Sequence, residues 1–187
     1  MAMQRAVRWM EESTMGDTQA AVRAANSYAG AALRALRERL AGSSLDAEQH
    51  AAHGYAWIAT AANALTALAA WHERISAAGE AQEADDLVLA IGLGETLAQL
   101  IGGLPMGQNE FVRPLSLGLA EHALELAADP AVRSFLTGGN TAAARARLVA
   151  LVRNGAAVSE SFGDELLDTI RDQYRRFTED RIVPHAH

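Results

Sequence analysis

Apolar residues recur along the chain at the three- and four-residue spacing of helices, and glycine, proline and capping residues punctuate them. Asp17 reads as an N-cap, after which Ala21, Ala25, Tyr28, Ala32, Leu36 and Leu40 share one face up to Gly42. Ser43-Ser44 opens a second helix, with Asp46 and Glu48 in its first turn, that runs to about Ala78 before Gly79. At 1.5 Å per residue its roughly 34 residues would span about 50 Å. A third helix covers about Ala81–Ile101 and stops at Gly102-Gly103, with Pro105 just beyond. The next ten or so residues do not read as helix. Leu115–Ala128 is amphipathic and precedes Asp129-Pro130, an N-cap with a first-turn proline. Short helices are expected at about 130–137 and 141–154, separated by Gly138-Gly139 with Asn140 as cap. A last long helix starts near Ser159 or Ser161 and runs to about Val183, where Pro184 ends it.

No strand is expected, and the fold class is all-α, a bundle of long helices. The pattern divides into a poorly patterned segment (1–16), a helical bundle (17–157) and a terminal long helix (158–187). Composition explains the packing this requires. About 41 of the 187 residues are alanine and only 5% are aromatic, so small side chains let long helices approach closely. The most membrane-like stretch, Tyr55–Trp71, is shorter than the roughly 20 apolar residues a span needs and contains Thr60, Asn63 and Thr66. It reads as a buried bundle helix, with no membrane partner.

Charge and missing residue types narrow the chemistry. The net charge is −7 with scattered arginines, which argues against a nucleic-acid partner. Lysine is absent, so Schiff-base chemistry and a P-loop lysine are excluded. Without cysteine there is no disulfide, thiol nucleophile or thiolate metal site. The first residues carry acids too early for a secretory signal, and the expected location is cytoplasmic. His50 and His53, near Glu48, lack further ligands at metal-binding spacing, so no metal is expected. Gly92-Leu93-Gly94 lies within a helix rather than after a strand, which marks close helix packing rather than a dinucleotide site. No nucleophile–base pair is visible, and no catalytic residue is assigned.

The segment from Gln99 to Arg113 stands apart. Gly102 and Gly103 permit unusual backbone angles directly after a helix, and Gln108, Glu110 and Arg113 cluster behind them. Two readings remain open: a helix C-cap with a polar loop, or a contact loop for a partner subunit or a nucleotide-like ligand.

The tail Tyr174-Arg-Arg-Phe177-Thr-Glu179-Asp-Arg-Ile182-Val-Pro184-His185-Ala186-His187 resembles the opening helix of flavin-dependent acyl-CoA dehydrogenases. Glu48–Trp57, Ile91–Glu95 and Gly102-Gly103 resemble the N-terminal extension of the (2S)-methylsuccinyl-CoA dehydrogenase family, from the ethylmalonyl-CoA pathway. Gln99-x-x-Gly102-Gly103 with Glu110 and Arg113 is similar to a loop in the C-terminal helical bundle of acyl-CoA dehydrogenases. There that loop meets the flavin nucleotide of a neighbouring subunit. The resemblance implies that residues 17–155 are a degenerate copy of that bundle, with Pro105 interrupting its loop. It also implies a chain that stops where the catalytic machinery would begin. The cofactor of the longer enzyme would be FAD, which dehydrogenates a branched dicarboxylic acyl-CoA, while this chain would hold none and be inactive alone. Its partner would be the dehydrogenase core or a second subunit, within a homo-oligomer. The alternative is a stand-alone helical dimerisation module.

Overall fold

The computed structural model describes residues 15–186. Expectations for residues 1–14, most of the poorly patterned segment, and for His187 lie outside the described residues. The described chain is all-α apart from one minute hairpin.

Three long helices form the body: α1 (Met15–Ala41), α2 (Gln49–Ala77) and α3 (Glu83–Gly102). Side-chain pairs fix their directions. Gln19 bonds Glu73, Asn26 bonds Thr66 and Arg39 bonds Glu48, so α1 and α2 run antiparallel. His72 bonds Asp86 across the next turn, which makes α2 and α3 antiparallel as well. The expected face of α1 is the buried one: Ala21, Ala25, Tyr28, Ala32 and Leu36 all lie in the core, while Leu40 is half-buried at its edge. Asp17 lies inside α1, not at its cap. Gly16 fails to break the helix because an internal glycine costs only about 1 kcal/mol, and Asp17 suits the positive end of the dipole. The second helix is shorter than expected. The Ser44 hydroxyl accepts the Ala47 amide at 3.2 Å, and its carbonyl accepts the Glu48 amide at 3.1 Å. That local turn competes with the helix and leaves Asp46 and Glu48 ahead of it.

α3 begins in a reciprocal cap, in which the Asp85 carboxylate accepts the Gln82 amide at 2.9 Å. It ends at Gly103, whose φ of +132° turns the chain into the hairpin. The hairpin departs locally from the expectation of no strand and leaves the all-α fold class standing. Leu104–Pro105 (β1) pairs antiparallel with Phe111–Val112 (β2), with Leu104 opposite Val112 and both buried. A two-residue strand carries no readable alternation, which is why the pattern missed it.

The stretch expected as one helix over 115–128 is two elements. A 3₁₀ turn covers Pro114–Leu117, Gly118 takes a φ of +75°, and α4 follows at Ala120–Ala128. Asp129 caps α5 (Pro130–Ser134) as expected, its Oδ1 accepting the Ala131 and Val132 amides at 2.9 and 3.1 Å. α5 widens into a π-helical turn, Phe135–Gly139, before α6 (Ala142–Arg153). Thr141, not Asn140, caps α6. The Asn140 amide is instead drawn to the Glu95 carboxylate at 2.5 Å, a stronger charge-assisted bond.

Glycines set the tightest contacts. A Cβ on Gly92 would come within 2.8 Å of Leu68 on α2. On Gly94 it would meet the Phe135 carbonyl at 2.7 Å and the Asn140 amide at 2.9 Å, and Gly139 in turn lies on the Ala90 carbonyl. The pair at 92 and 94 therefore serves close packing, as its position within a helix suggested.

The terminal helix, α7 (Glu165–Phe177), begins later than expected. Ser159 and Ser161 are taken by other bonds, and Asp164 caps the helix by accepting the Leu166 and Leu167 amides. A π turn (Thr178–Ile182) and a 3₁₀ turn (Val183–His185) follow.

Candidate functional site

The loop from Gln99 to Arg113 is built on a helix end and a glycine notch. Gly54 of α2 leaves room for Val112, which a Cβ there would meet at 2.5 Å, and this seats the hairpin on α2. The structure brings Gly102, Gly103, Glu110 and Arg113 into one surface. Arg113 Nη1 points at the Gly102 carbonyl at 3.5 Å, and its guanidinium covers the Phe111 ring at 5.2 Å. Glu110 Oε1 meets His50 Nδ1 at 3.2 Å, tying the hairpin tip to α2. Gln108 is exposed at the tip. Leu115 follows 79% exposed, so the hairpin presents a cationic and apolar patch outward.

Gln99 does not join this group. One helical turn before Gly103, it donates to Glu95 Oε1 at 2.9 Å. Glu95 Oε2 also accepts Asn140 and Arg145, and Arg145 Nε donates to Asn140 Oδ1 at 2.5 Å. This closed network binds α3 to α6. The two histidines weighed as ligands also part: His50 goes to Glu110, while His53 accepts the Trp57 indole N–H at 2.9 Å. Among the described residues, no group of three or more histidines and carboxylates converges as a metal site would require.

The fold does assemble one constellation that spacing did not show. His72 Nε2 lies 2.7 Å from Asp86 Oδ1, and the Ser76 hydroxyl lies 3.4 Å from His72 Nδ1. The residue types are those of a hydrolytic triad, but Ser76 sits in the last turn of α2. There the free backbone groups are carbonyls and the dipole is negative, so no oxyanion would be stabilised. The cluster is a polar clamp between α2 and α3.

Two further features escaped the sequence reading. Asp85 is 1% exposed; its Oδ2 caps α3 and its Oδ1 accepts the Ser159 amide at 2.9 Å. Together with Trp71, which donates to the Ser159 carbonyl, and Arg74, which donates to the Ser161 carbonyl, it straps the segment 158–162 to the body. The second feature is the orientation of α7. Leu166, Ile170, Tyr174 and Phe177 share one face with Phe162 ahead of them, and all five are exposed. The opposite face carries Asp168, Arg171 and Arg175, and this polar face lies toward the tether at 160–162. Arg171 pairs with Asp168 and Asp172 and reaches the Glu160 carbonyl, while Arg175 pairs with the Glu160 carboxylate. Asp168 also accepts the Phe162 amide and the Ser161 hydroxyl, and these bonds hold its carboxyl below the usual carboxylate range. The helix thus spends its charges on its own tether and turns its bulky apolar face to water, although each such side chain would gain about 1.5–3 kcal/mol on burial.

These features define an all-α helical bundle with an exposed apolar face on α7 and an exposed patch beside the hairpin. Comparison with known proteins agrees with the resemblance drawn from the residues. Over 163 aligned residues the chain is 44% identical to the (2S)-methylsuccinyl-CoA dehydrogenase of Cereibacter sphaeroides. The alignment takes in 82% of this chain but 29% of that enzyme, so the chain spans less than a third of its relative. No family model matches the chain. Among the described residues, no helix is long and apolar enough to cross a membrane.

Proposed function

We propose that this chain is a non-catalytic helical domain of a methylsuccinyl-CoA dehydrogenase-type enzyme, and that it acts by packing against the dehydrogenase core or a second subunit. The observation that carries the proposal is the outward apolar face of α7, read with the 44% identity to part of such an enzyme. An amphipathic helix with its polar face bonded to its own tether has no intramolecular use for Leu166, Ile170, Tyr174 and Phe177. The hairpin patch of Phe111, Arg113 and Leu115 supplies a second contact.

The parent reaction is α,β-dehydrogenation of a branched dicarboxylic acyl-CoA thioester, with FAD as hydride acceptor in a cytoplasmic homo-oligomer. The residues present do not build a flavin site. Gln99 is held by Glu95, Arg113 lies over Phe111, and Glu110 is paired with His50. This supports protein contact over nucleotide binding at the loop, and no step of the reaction is assigned to these residues. The test is direct: mixed with FAD and methylsuccinyl-CoA, the purified chain should retain no flavin and show no turnover. Stoichiometric flavin retention with product formation would overturn the non-catalytic reading.

A further inference from the structure

A cavity of about 340 Å³ opens between α1 and the α4–α5 corner, away from both the hairpin and α7. Its lining holds polar groups that the protein itself leaves unsatisfied. Tyr28 is 3% exposed, with its ring in the core among the alanines of α1. Its hydroxyl has no hydrogen-bond partner among the described residues, yet no fully enclosed side-chain polar atom lacks one. The hydroxyl therefore opens onto the cavity that Tyr28 lines. Burial of the ring pushes this phenol up to about 12, so it remains a neutral donor facing the cavity.

Charge on the two walls is complementary. Arg34, two turns along α1, has no ion pair among the described residues; its Nη1 lies back along the helix, 3.7 Å from where a Cβ on Gly30 would be. On the facing wall, Asp129 uses only Oδ1 to cap α5, and its second oxygen is free. His122 and Glu125 beside it already pair at 3.3 Å. A simple anion suits Arg34 and Tyr28 but meets Asp129, whereas a simple cation suits Asp129 but meets Arg34. A molecule bearing both charges answers both walls.

We propose that this cavity binds a small amino-carboxylate zwitterion, its carboxylate on Arg34 and the Tyr28 hydroxyl and its ammonium on Asp129. At about 30 Å³ per water, the volume equals roughly eleven waters, which suits a ligand of up to about ten non-hydrogen atoms. The site does not depend on the docking role of α7.

Calorimetric titration of the intact chain with β-alanine and γ-aminobutyrate, beside butyrate and butylamine, tests the proposal. Saturable binding of a zwitterion, with a Kd of about 1 mM or tighter, and no comparable binding of the single-charge analogues is expected. Tyr28→Phe keeps the ring in the core and should weaken binding about tenfold, with an unchanged thermal midpoint. Arg34→Gln, on the exposed side of α1, should weaken it at least as much. The proposal is overturned if neither zwitterion binds up to about tenfold above that Kd. It is equally overturned if butyrate or butylamine binds as well, or if both variants bind as the parent does.

Discussion

The body of the bundle and its terminal helix use side chains in opposite ways. Around α3, glycine and alanine are packed against backbone, with Gly94 on the π turn and Gly139 on the Ala90 carbonyl. Along α7 the apolar side chains are large and exposed, while Asp168, Arg171 and Arg175 face the tether. Contacts closed within the chain select small residues, because helices gain by approaching each other. A face of leucine, isoleucine, tyrosine and phenylalanine left in water is the pattern that the proposed contact with another surface requires.

Gly94→Val tests the packed half of that comparison most severely. Its side chain would press on the Phe135 carbonyl and Asn140 amide, and the variant should lose about 3 kcal/mol. Denaturant unfolding checks the value, and the thermal midpoint should fall by roughly 6–12 °C. Retention of parental stability would mean that α3 and the π turn are not in close contact.

Asp85→Ala probes the strap between the two regions. It removes the acceptor for the Gln82 and Ser159 amides from a buried position, with an expected cost of about 2 kcal/mol. Limited proteolysis should then cut within 154–163 faster than in the parent, because the segment loses its anchor. Equal cleavage rates would remove Asp85 from that role.

A smaller effect is expected from pH. Arg147 grips Glu83 through two bonds, Nε to Oε1 at 2.7 Å and Nη2 to Oε2 at 2.6 Å, and this holds the Glu83 carboxyl below its ordinary value near 4.5. A depressed folded pKa stabilises above the unfolded value, and that stabilisation is lost as pH falls through the folded value. Unfolding followed from pH 5 downward should show this loss, and Glu83→Gln should remove that part of the slope. Both groups are about one-third exposed, so solvent screening keeps the contribution small. An identical pH profile in Glu83→Gln would show that the pair contributes nothing.

The smallest stability effect belongs to α7. A triple variant, Leu166→Gln, Ile170→Gln and Tyr174→Gln, removes exposed apolar groups while keeping helix-forming residues. It should leave the free energy of unfolding within about 0.5 kcal/mol of the parent. A loss of several kcal/mol would show that this face is packed within the chain.

Much of the fold was legible because its signals are local. The face of α1, the Asp129-Pro130 start of α5 and the packing sense of Gly92 and Gly94 follow from spacing and capping chemistry alone. Boundaries failed where a tertiary or side-chain bond competed. Ser44 formed its own turn ahead of α2, Glu95 took Asn140 from the α6 cap, and Asp85 held Ser159 out of α7. The hairpin was invisible because two-residue strands have no period. At the candidate site, the spacing from Gln99 to Arg113 suggested one cluster, but a helical turn separates Gln99 from the hairpin and leaves it bonded to Glu95 on α3. The terminal helix was legible, but its apolar stripe was not singled out. That its apolar side faces outward depends on where Glu160 and Asp168 place the polar side, which sequence cannot report.

On the proposed function, α7 docks onto a dehydrogenase core. The most direct test is titration of this chain against the C. sphaeroides (2S)-methylsuccinyl-CoA dehydrogenase from which the segment similar to this chain has been removed, followed by sedimentation velocity. Stoichiometric association is expected, weakened by the triple α7 variant by about 100-fold or more, because the lost residues would form the buried centre of the contact. No association, or association of equal strength with the triple variant, would contradict it.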